Sequence, residues 1–215
     1  MQLEIVKSWP SEWCLEANKL AMQVLGGAGY VQDYPLEQLY RDNRLNMIHE
    51  GTAGVHAKTL LGRKVQGGKA DILFAEMRRA CDVAEAELRV AVPGAAAVLG
   101  ASALAMRTAV ERAEHVTAVL TAESADRCTA LSNAHDYLTM LGHTCIGWHW
   151  LRAATAASRG LTDVEAEDTD ARLFYQGKLH ACSFFFRHEL PKTEPLARLL
   201  LSWDSSVREM SPGWF

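Results

Sequence analysis

One carboxylate in this sequence has neighbours that would raise its proton affinity and so suit it to proton transfer. Glu50 follows the apolar pair Met47 and Ile48 and precedes Gly51. Apolar surroundings disfavour the charged form of a carboxyl group and so raise its proton affinity, as a general base requires. A glycine at the next position lets another group approach the main chain closely. The segment therefore predicts a general base at Glu50.

A structural role for the same residue is equally compatible with the sequence. Thr52 is a candidate N-cap, so a helix can begin directly after it. A carboxylate near a helix N-terminus is stabilised by the helix dipole. The residues alone leave both interpretations of Glu50 open.

A glycine-rich segment, Leu-Gly-Gly-Ala-Gly-Tyr at 25–30, is the second feature that could take part in ligand binding. It is not a P-loop, because no Lys-Ser/Thr pair follows it. It is not a dinucleotide-binding fingerprint either, because it follows a predicted helix and lacks the last spaced glycine. On spacing alone, the segment favours a helix end and a turn.

Histidine and cysteine offer no convincing metal site. Cys145 and His149 are four residues apart and can share a helix face, whereas His143 points elsewhere. Zinc requires a third and usually a fourth protein ligand, and no spaced Cys/His pair elsewhere supplies them. We expect no metal. The five cysteines form no CxxC pair and indicate buried thiols in a reducing, cytoplasmic compartment.

Composition excludes further classes of protein. The 215 residues carry a net charge of −4, which argues against nucleic-acid binding. The start of the chain lacks the basic and apolar regions of a signal peptide. The longest apolar run, at 92–106, is shorter than the roughly 20 residues that a membrane helix needs. The sequence therefore predicts no membrane span.

Helical periodicity dominates the chain and predicts an all-α fold. The first helix is expected to open at Pro10, with Ser11 as a candidate N-cap, and to stop at Gly26. Four long helices with short breaks predict an antiparallel bundle after Gly67–Gly68, and hence domains at 1–66 and 67–215. The predicted helices span 10–25, 35–44, 52–65, 70–92, 95–122, 125–158 and 171–188.

Three blocks of sequence together resemble the acyl-CoA dehydrogenase family. They are Gln-Val-Leu-Gly-Gly-Ala-Gly-Tyr at 23–30, Tyr-Pro-Leu-Glu-Gln-Leu-Tyr-Arg-Asp at 34–42 and Ile-His-Glu-Gly-Thr at 48–52. Their order and the spacing from Gln23 to Glu50 match the family pattern, and the resemblance covers about residues 8–65. Residues 70–190 are similar to the extra C-terminal helical domain of one branch, the methylthiopropionyl-CoA dehydrogenase-like proteins.

The resemblance implies FAD-dependent oxidation of an acyl-CoA thioester to the trans-2-enoyl-CoA. Glu50 matches the family base, which takes the α-proton while the β hydrogen leaves as a hydride to the flavin. The main-chain N–H of that base and a flavin hydroxyl serve as donors to the thioester oxygen. Gln23, Gly26 and Gly27 match contacts to the FAD of a neighbouring subunit, and Thr52 matches a residue near the adenosine half of FAD. The implied partners are a homo-oligomer and an electron-transferring flavoprotein.

Departures from the family pattern limit what this chain is expected to do alone. His49 stands where the family often has tyrosine, and Gly54 stands where it often has a glutamine that contacts FAD. The flavin-cradling β domain is not among the matched segments, so the chain is expected to be an incomplete part of the enzyme and inactive by itself. The alternative is a non-catalytic helical oligomerisation module, a truncated relic. Helices without their packing partners are expected to expose apolar patches.

Overall fold

The computed structural model describes residues 2–214, so Met1 and Phe215, at the outer ends of the two predicted domains, lie outside the described residues. Helices account for the regular structure of this part of the chain, and it contains no strand. The predicted all-α fold is confirmed. The helices are α1 Gln2–Leu25, α2 Leu36–Leu45, α3 Ala53–Thr59, α4 Asp71–Glu87, α5 Pro93–Thr121, α6 Arg127–Ser132, α7 Ala134–Asp163, α8 Thr169–Phe184, α9 Thr193–Leu201 and α10 Ser206–Glu209.

Helices α4, α5, α7 and α8 form the predicted antiparallel bundle. Arg78 near the start of α4 pairs with Glu114 near the end of α5. Further along α4, Glu85 accepts a 2.8 Å bond from Arg107, which lies earlier on α5, so these two helices run in opposite directions. Short connections between long amphipathic helices produce this arrangement, because each helix must bury its apolar face against the next.

Helix α7 is the central element and contributes to the core along its whole length. It packs against α1, α3, α4, α5, α8 and α9. Tyr137 is fully buried, and its hydroxyl lies 2.7 Å from that of Thr117 on α5. The hydrogen bond satisfies the polar end of a large side chain whose ring is removed from water. Burial of each leucine or methionine on this helix stabilises the fold by about 1.5–3 kcal/mol.

The N-terminal segment packs against the bundle. Leu60 and Leu61, which follow α3 in a π-helical turn, are buried in the same core as α7. Glu4 on α1 is buried and lies 3.9 Å from Lys64. The core is thus continuous across residue 66, where Gly67 and the next residue turn with positive φ. The division into 1–66 and 67–215 stays a prediction.

Several predicted bounds of helices are wrong. α1 begins at Gln2 and includes Pro10 in its interior. Ser11 is not an N-cap, because its hydroxyl donates to the Lys7 carbonyl at 2.6 Å. The predicted helix at 125–158 is divided at Asn133 into α6 and α7. Helices α9 and α10 were not predicted.

Helix α5 has an unusual composition for a bundle helix. By length and composition it could cross a membrane, and it is the one helix of residues 2–214 that meets this criterion. The predicted apolar run ended at 106, but the helix continues past the charged residues Arg107 and Glu111 to Thr121. Leu99, Met106 and other side chains of α5 are buried within the bundle. The absence of a membrane span stays a prediction.

Candidate functional site

The turn between α2 and α3 carries Glu50. Glu50 has φ +54°, and Gly51 follows with φ +95°. Thr52 is then extended and occupies the N-cap position of α3, although its side chain makes no capping bond. A left-handed glutamate costs about 1 kcal/mol, so the surrounding turn must hold it.

His56 holds this turn from within α3. Its Nε2 lies 3.2 Å from the Glu50 carbonyl oxygen. A Cβ on Gly51 would lie only 2.9 Å from the same Nε2. Gly51 is therefore required both by its φ and by the imidazole packed against it. His56 was not predictable from the sequence, because a glycine before an N-cap indicates a turn but does not reveal the residue that packs against it.

The Glu50 side chain points to the surface of this chain. It is 81% exposed, and the nearest basic group is Nδ1 of His49 at 4.0 Å. The apolar neighbour Ile48 is itself half exposed, so the expectation that neighbours in sequence bury the carboxylate is wrong. The reason is the turn, which directs this segment away from the core. Glu50 also lies outside the first turn of α3, which weakens the helix-dipole interpretation.

The main chain around Glu50 offers an unpaired donor. The N–H groups of Ile48 and His49 both donate to the Leu45 carbonyl, at 2.9 and 3.1 Å. The N–H of Glu50 donates to no acceptor in residues 2–214. A carbonyl compound that forms an enolate requires a hydrogen-bond donor at its oxygen and a base at its α carbon. An exposed main-chain donor beside a carboxylate has the chemistry for both.

The glycine-rich segment ends α1 as predicted. Gly26 has φ +57°, and a 3-10 turn follows over Gly26–Gly29. A Cβ on Gly29 would lie 2.6 Å from the Met22 carbonyl oxygen, so this glycine is needed for packing. A Cβ on Gly26 or Gly27 would meet no atom within 4 Å, so the main chain of both residues is open to an approaching group. Gln23 is exposed on the same end of α1.

The two groups of candidate residues lie at opposite ends of the α1–α2 pair. Asn43 near the end of α2 donates to the side chain of Asn18 on α1, and Lys7 donates to the Asn46 carbonyl just after α2. The turn that carries Glu50 is thus directed toward the N-terminal half of α1. Gly26 is eight residues beyond Asn18, about 12 Å along the helix axis. Glu50 and Gly26 therefore face separate regions.

The cysteines and histidines do not converge on a metal site in residues 2–214. Cys145 is buried, which raises the pKa of its thiol to about 12, whereas His149 is exposed. Burial also raises the pKa of Cys81 and Cys182 to about 11. Cys14 and Cys128 are exposed, so the expectation of buried thiols is correct for three of the five.

Comparison with protein families identifies both parts of the chain. Residues 73–211 match the model described as "Acetyl-CoA dehydrogenase C-terminal like". Residues 1–65 match the model described as "Acyl-CoA dehydrogenase, C-terminal domain". The second match contains Glu50 and the glycine-rich segment.

Curated relatives agree with these matches. A 3-methylmercaptopropionyl-CoA dehydrogenase of Ruegeria pomeroyi is 32% identical over 190 residues, which cover 83% of this chain and 31% of the relative. A broad-specificity linear acyl-CoA dehydrogenase of Mycobacterium tuberculosis is 28% identical over 221 residues, with 100% and 35% coverage. A subunit of the caffeyl-CoA reductase-Etf complex of Acetobacterium woodii is 38% identical over 61 residues, with 28% and 16% coverage.

The chain spans about a third of the length of the first two relatives. Both align across most or all of it, and the two family models match its N-terminal and C-terminal parts in order. This chain therefore belongs to the acyl-CoA dehydrogenase family and corresponds to its C-terminal helical part.

Proposed function

We propose that this chain is the C-terminal part of an FAD-dependent acyl-CoA dehydrogenase in which Glu50 removes the α-proton of an acyl-CoA thioester. The product is the trans-2-enoyl-CoA. The observation that carries the proposal is the turn at Glu50, where an exposed carboxylate and an unpaired main-chain N–H adjoin each other. The family matches support the same activity for the whole enzyme.

Two groups of Glu50, its carboxylate and its main-chain N–H, take part in proton removal. The Glu50 carboxylate accepts the α-proton, and the Glu50 N–H donates to the thioester oxygen where negative charge develops. Gly51 and His56 keep the carboxylate and the N–H in a fixed relation. A base of this kind needs a dry pocket, and the described residues leave Glu50 exposed. Its desolvation must therefore come from the substrate and from other polypeptide.

The open end of α1 fits a cofactor contact. Gln23 presents an exposed amide, and Gly26 and Gly27 leave the main chain unobstructed. We propose that these three residues contact the FAD of a neighbouring subunit, and that Thr52 lies near the adenosine half of an FAD. FAD, when bound, supplies the acceptor for the hydride that leaves the β carbon.

The remaining assignments follow from the proposed activity. We propose acyl-CoA as substrate, a homo-oligomer as the active form, and a cytoplasmic location. An electron-transferring flavoprotein is the proposed electron acceptor, and the Acetobacterium woodii relative, by its name, belongs to an Etf complex.

A non-catalytic oligomerisation module is the second candidate. The exposure of Glu50 favours it, and so does the exposed apolar surface on α1 and α2, where Val24 is 85% exposed. In this interpretation the helices serve subunit packing alone. The two candidates differ in one measurable property, the exchange of the substrate α-proton.

The test is Glu50→Gln in the complete FAD-loaded enzyme. We expect loss of flavin bleaching by substrate and loss of α-proton exchange with deuterated solvent, while the FAD content stays normal. The matched control is Glu111→Gln, since Glu111 is exposed on α5 and makes no ion pair in the described part of the chain. Unchanged turnover in Glu50→Gln would eliminate Glu50 as the base and favour the module.

The chain by itself gives a second measurement. We expect it to bind FAD weakly and to be inactive, because the matched residues supply only one side of the cofactor contact. Flavin retained through gel filtration of the isolated chain would contradict this expectation.

A further inference from the structure

A cavity of about 440 Å³ lies between α4 and α7, in the bundle rather than in the turn at Glu50. Glu76, Arg79 and Val83 line it from one face of α4, at a spacing of three and four residues. Trp148 and Arg152 line it from the facing side of α7. Its size is in the range of cavities that hold small organic ligands.

Arginine side chains dominate the charge of this cavity. Three arginines and one glutamate line it, in a chain whose net charge is −4. Arg159 is paired with the buried carboxylate of Glu87 at 2.8 Å. Arg79 makes a looser pair with Glu76, at 3.5 Å. The cavity therefore concentrates positive charge that the surrounding carboxylates only partly neutralise.

Of the three arginines that line the cavity, Arg152 is the one without a carboxylate partner in the described residues. Its guanidinium carbon lies 5.3 Å from the centre of the Trp148 ring, which is a cation–π contact, and its N–H groups make no hydrogen bond within the described residues. The same positive charge contributes, after burial, to the lowered pKa of His149. A planar guanidinium fixed in this way is suited to bidentate binding of an oxyanion.

Trp148 provides a second, independent indication of a ligand. The residue is only 8% exposed and lines the cavity. Its buried Nε1–H has no acceptor in the described part of the chain. Buried donors in native proteins are nearly always paired, so the unpaired one marks a place that the described residues leave unsatisfied.

We propose that this cavity binds a phosphate-bearing organic anion of nucleotide size. Arg152 and Arg79 would hold the phosphate, and the Trp148 ring would border the ligand. Ala80, Val83 and the neighbouring Ala156 give the cavity an apolar part that suits a planar ring. The site does not include Glu50, so it does not depend on the proposed dehydrogenation.

The test is isothermal titration of the whole chain with three probes. Adenosine monophosphate carries the phosphate and a ring, inorganic phosphate carries the anion alone, and adenosine carries the ring alone. We expect adenosine monophosphate to bind at least tenfold more tightly than adenosine. Inorganic phosphate binding as tightly as the nucleotide would contradict the organic part of the proposal, because the ring would then contribute nothing.

Three variants distinguish a specific binding site from nonspecific attraction of anions to positive charge. Arg152→Gln is expected to weaken binding of adenosine monophosphate about tenfold, as loss of a charged hydrogen bond predicts. Arg198→Gln on α9 removes the same charge from an exposed position outside the cavity and is expected to leave binding unchanged. Trp148→Phe keeps an aromatic ring without the N–H and is expected to weaken binding less than Arg152→Gln.

Two results would overturn the proposal. The first is absence of binding by both adenosine monophosphate and inorganic phosphate to the folded wild-type chain. The second is equal weakening by Arg152→Gln and Arg198→Gln, which would show only a nonspecific effect of charge. Thermal unfolding of each variant establishes that it is folded before titration.

Discussion

The indole N–H of Trp9 donates to Nδ1 of His143 at 3.0 Å, and this bond connects α1 to α7. Because an indole nitrogen only donates, the bond requires an unprotonated Nδ1. The Thr139 carbonyl oxygen lies 3.0 Å from the same nitrogen, so a protonated ring would donate there instead. Gly142 makes the approach possible, since a Cβ at this position would lie 2.5 Å from Trp9. The attachment of α1 therefore depends on a neutral imidazole.

Stability is expected to fall in mild acid because of His143. Burial lowers the pKa of His143, and the charge of Lys192 lowers it further. The Thr139 carbonyl and the Glu189 carboxylate favour the charged ring and raise the pKa, but burial outweighs them. Between this lowered pKa and the unfolded value of about 6.5, the unfolded chain binds more protons. The free energy of unfolding therefore decreases as the pH falls through this window. Urea unfolding at a series of pH values measures the slope.

His143→Gln is expected to flatten that slope, even though it also lowers stability at neutral pH by removing a buried ring. His115→Gln is the control, because His115 is exposed on α5. It should keep the wild-type slope. An undiminished slope in His143→Gln would mean that other groups, such as His149, cause the pH dependence.

Gly51→Ala tests the turn that carries Glu50. A methyl group there must adopt φ +95° and would lie 2.9 Å from Nε2 of His56. We expect a loss of about 1–3 kcal/mol in stability and a larger loss of activity in the complete enzyme, since the carboxylate moves. Chemical denaturation and turnover are the two measurements.

Gly54→Ala is the matched control for that substitution. Gly54 lies within α3, and nothing is within 4 Å of its Cβ position. Alanine is the better helix former, so stability should stay the same or rise by up to about 1 kcal/mol. Equal effects of the two substitutions would show that the His56 contact and the left-handed backbone are unimportant.

Periodicity and glycines were enough to predict the all-α fold and the antiparallel bundle. The stop at Gly26 was predictable because a left-handed residue after a helix selects glycine. The start of α1 was not, because Pro10 is a local signal for a first turn, whereas the helix begins at Gln2 and contains Pro10 in its interior. Val55 and Ile72 are apolar residues in helices but are exposed, since neighbouring apolar residues occupy the core positions.

The residues of the candidate site were predictable from the sequence, but whether their side chains are buried was not. The resemblance identified Glu50 and the glycine-rich segment, which the family match at 1–65 also contains. Whether Glu50 is buried depends on which elements cover its turn, and adjacent sequence does not contain that information. The cavity at Trp148 was missed for the same reason, because its lining comes from two helices about 70 residues apart in sequence.

The Tyr137–Thr117 pair offers a test of the bundle core. Thr117 donates its own proton to the Ala113 carbonyl at 2.6 Å, so the Tyr137 hydroxyl is the donor to Thr117. Tyr137→Phe removes that donor and is expected to cost about 1 kcal/mol. Thr117→Val leaves a buried hydroxyl unpaired and is expected to cost about 1–3 kcal/mol.

The double variant distinguishes a specific hydrogen bond from general repacking. If the bond matters, Tyr137→Phe together with Thr117→Val should cost less than the two single losses added, by about 0.5 kcal/mol or more. Urea unfolding of the four proteins supplies the cycle. Strict additivity would indicate that the two hydroxyls do not interact.

The exposed apolar surface of α1 and the following turn predicts association of the isolated chain. Leu20, Val24 and Tyr30 are each more than half exposed on this side. Soluble monomers seldom leave such a surface uncovered, so we expect a homo-oligomer at micromolar concentration. Val24→Glu should shift the mass measured by light scattering toward the monomer. Val207→Glu, on the separate helix α10 where this valine is also exposed, should not. A wild-type chain that stays monomeric at these concentrations would contradict the prediction.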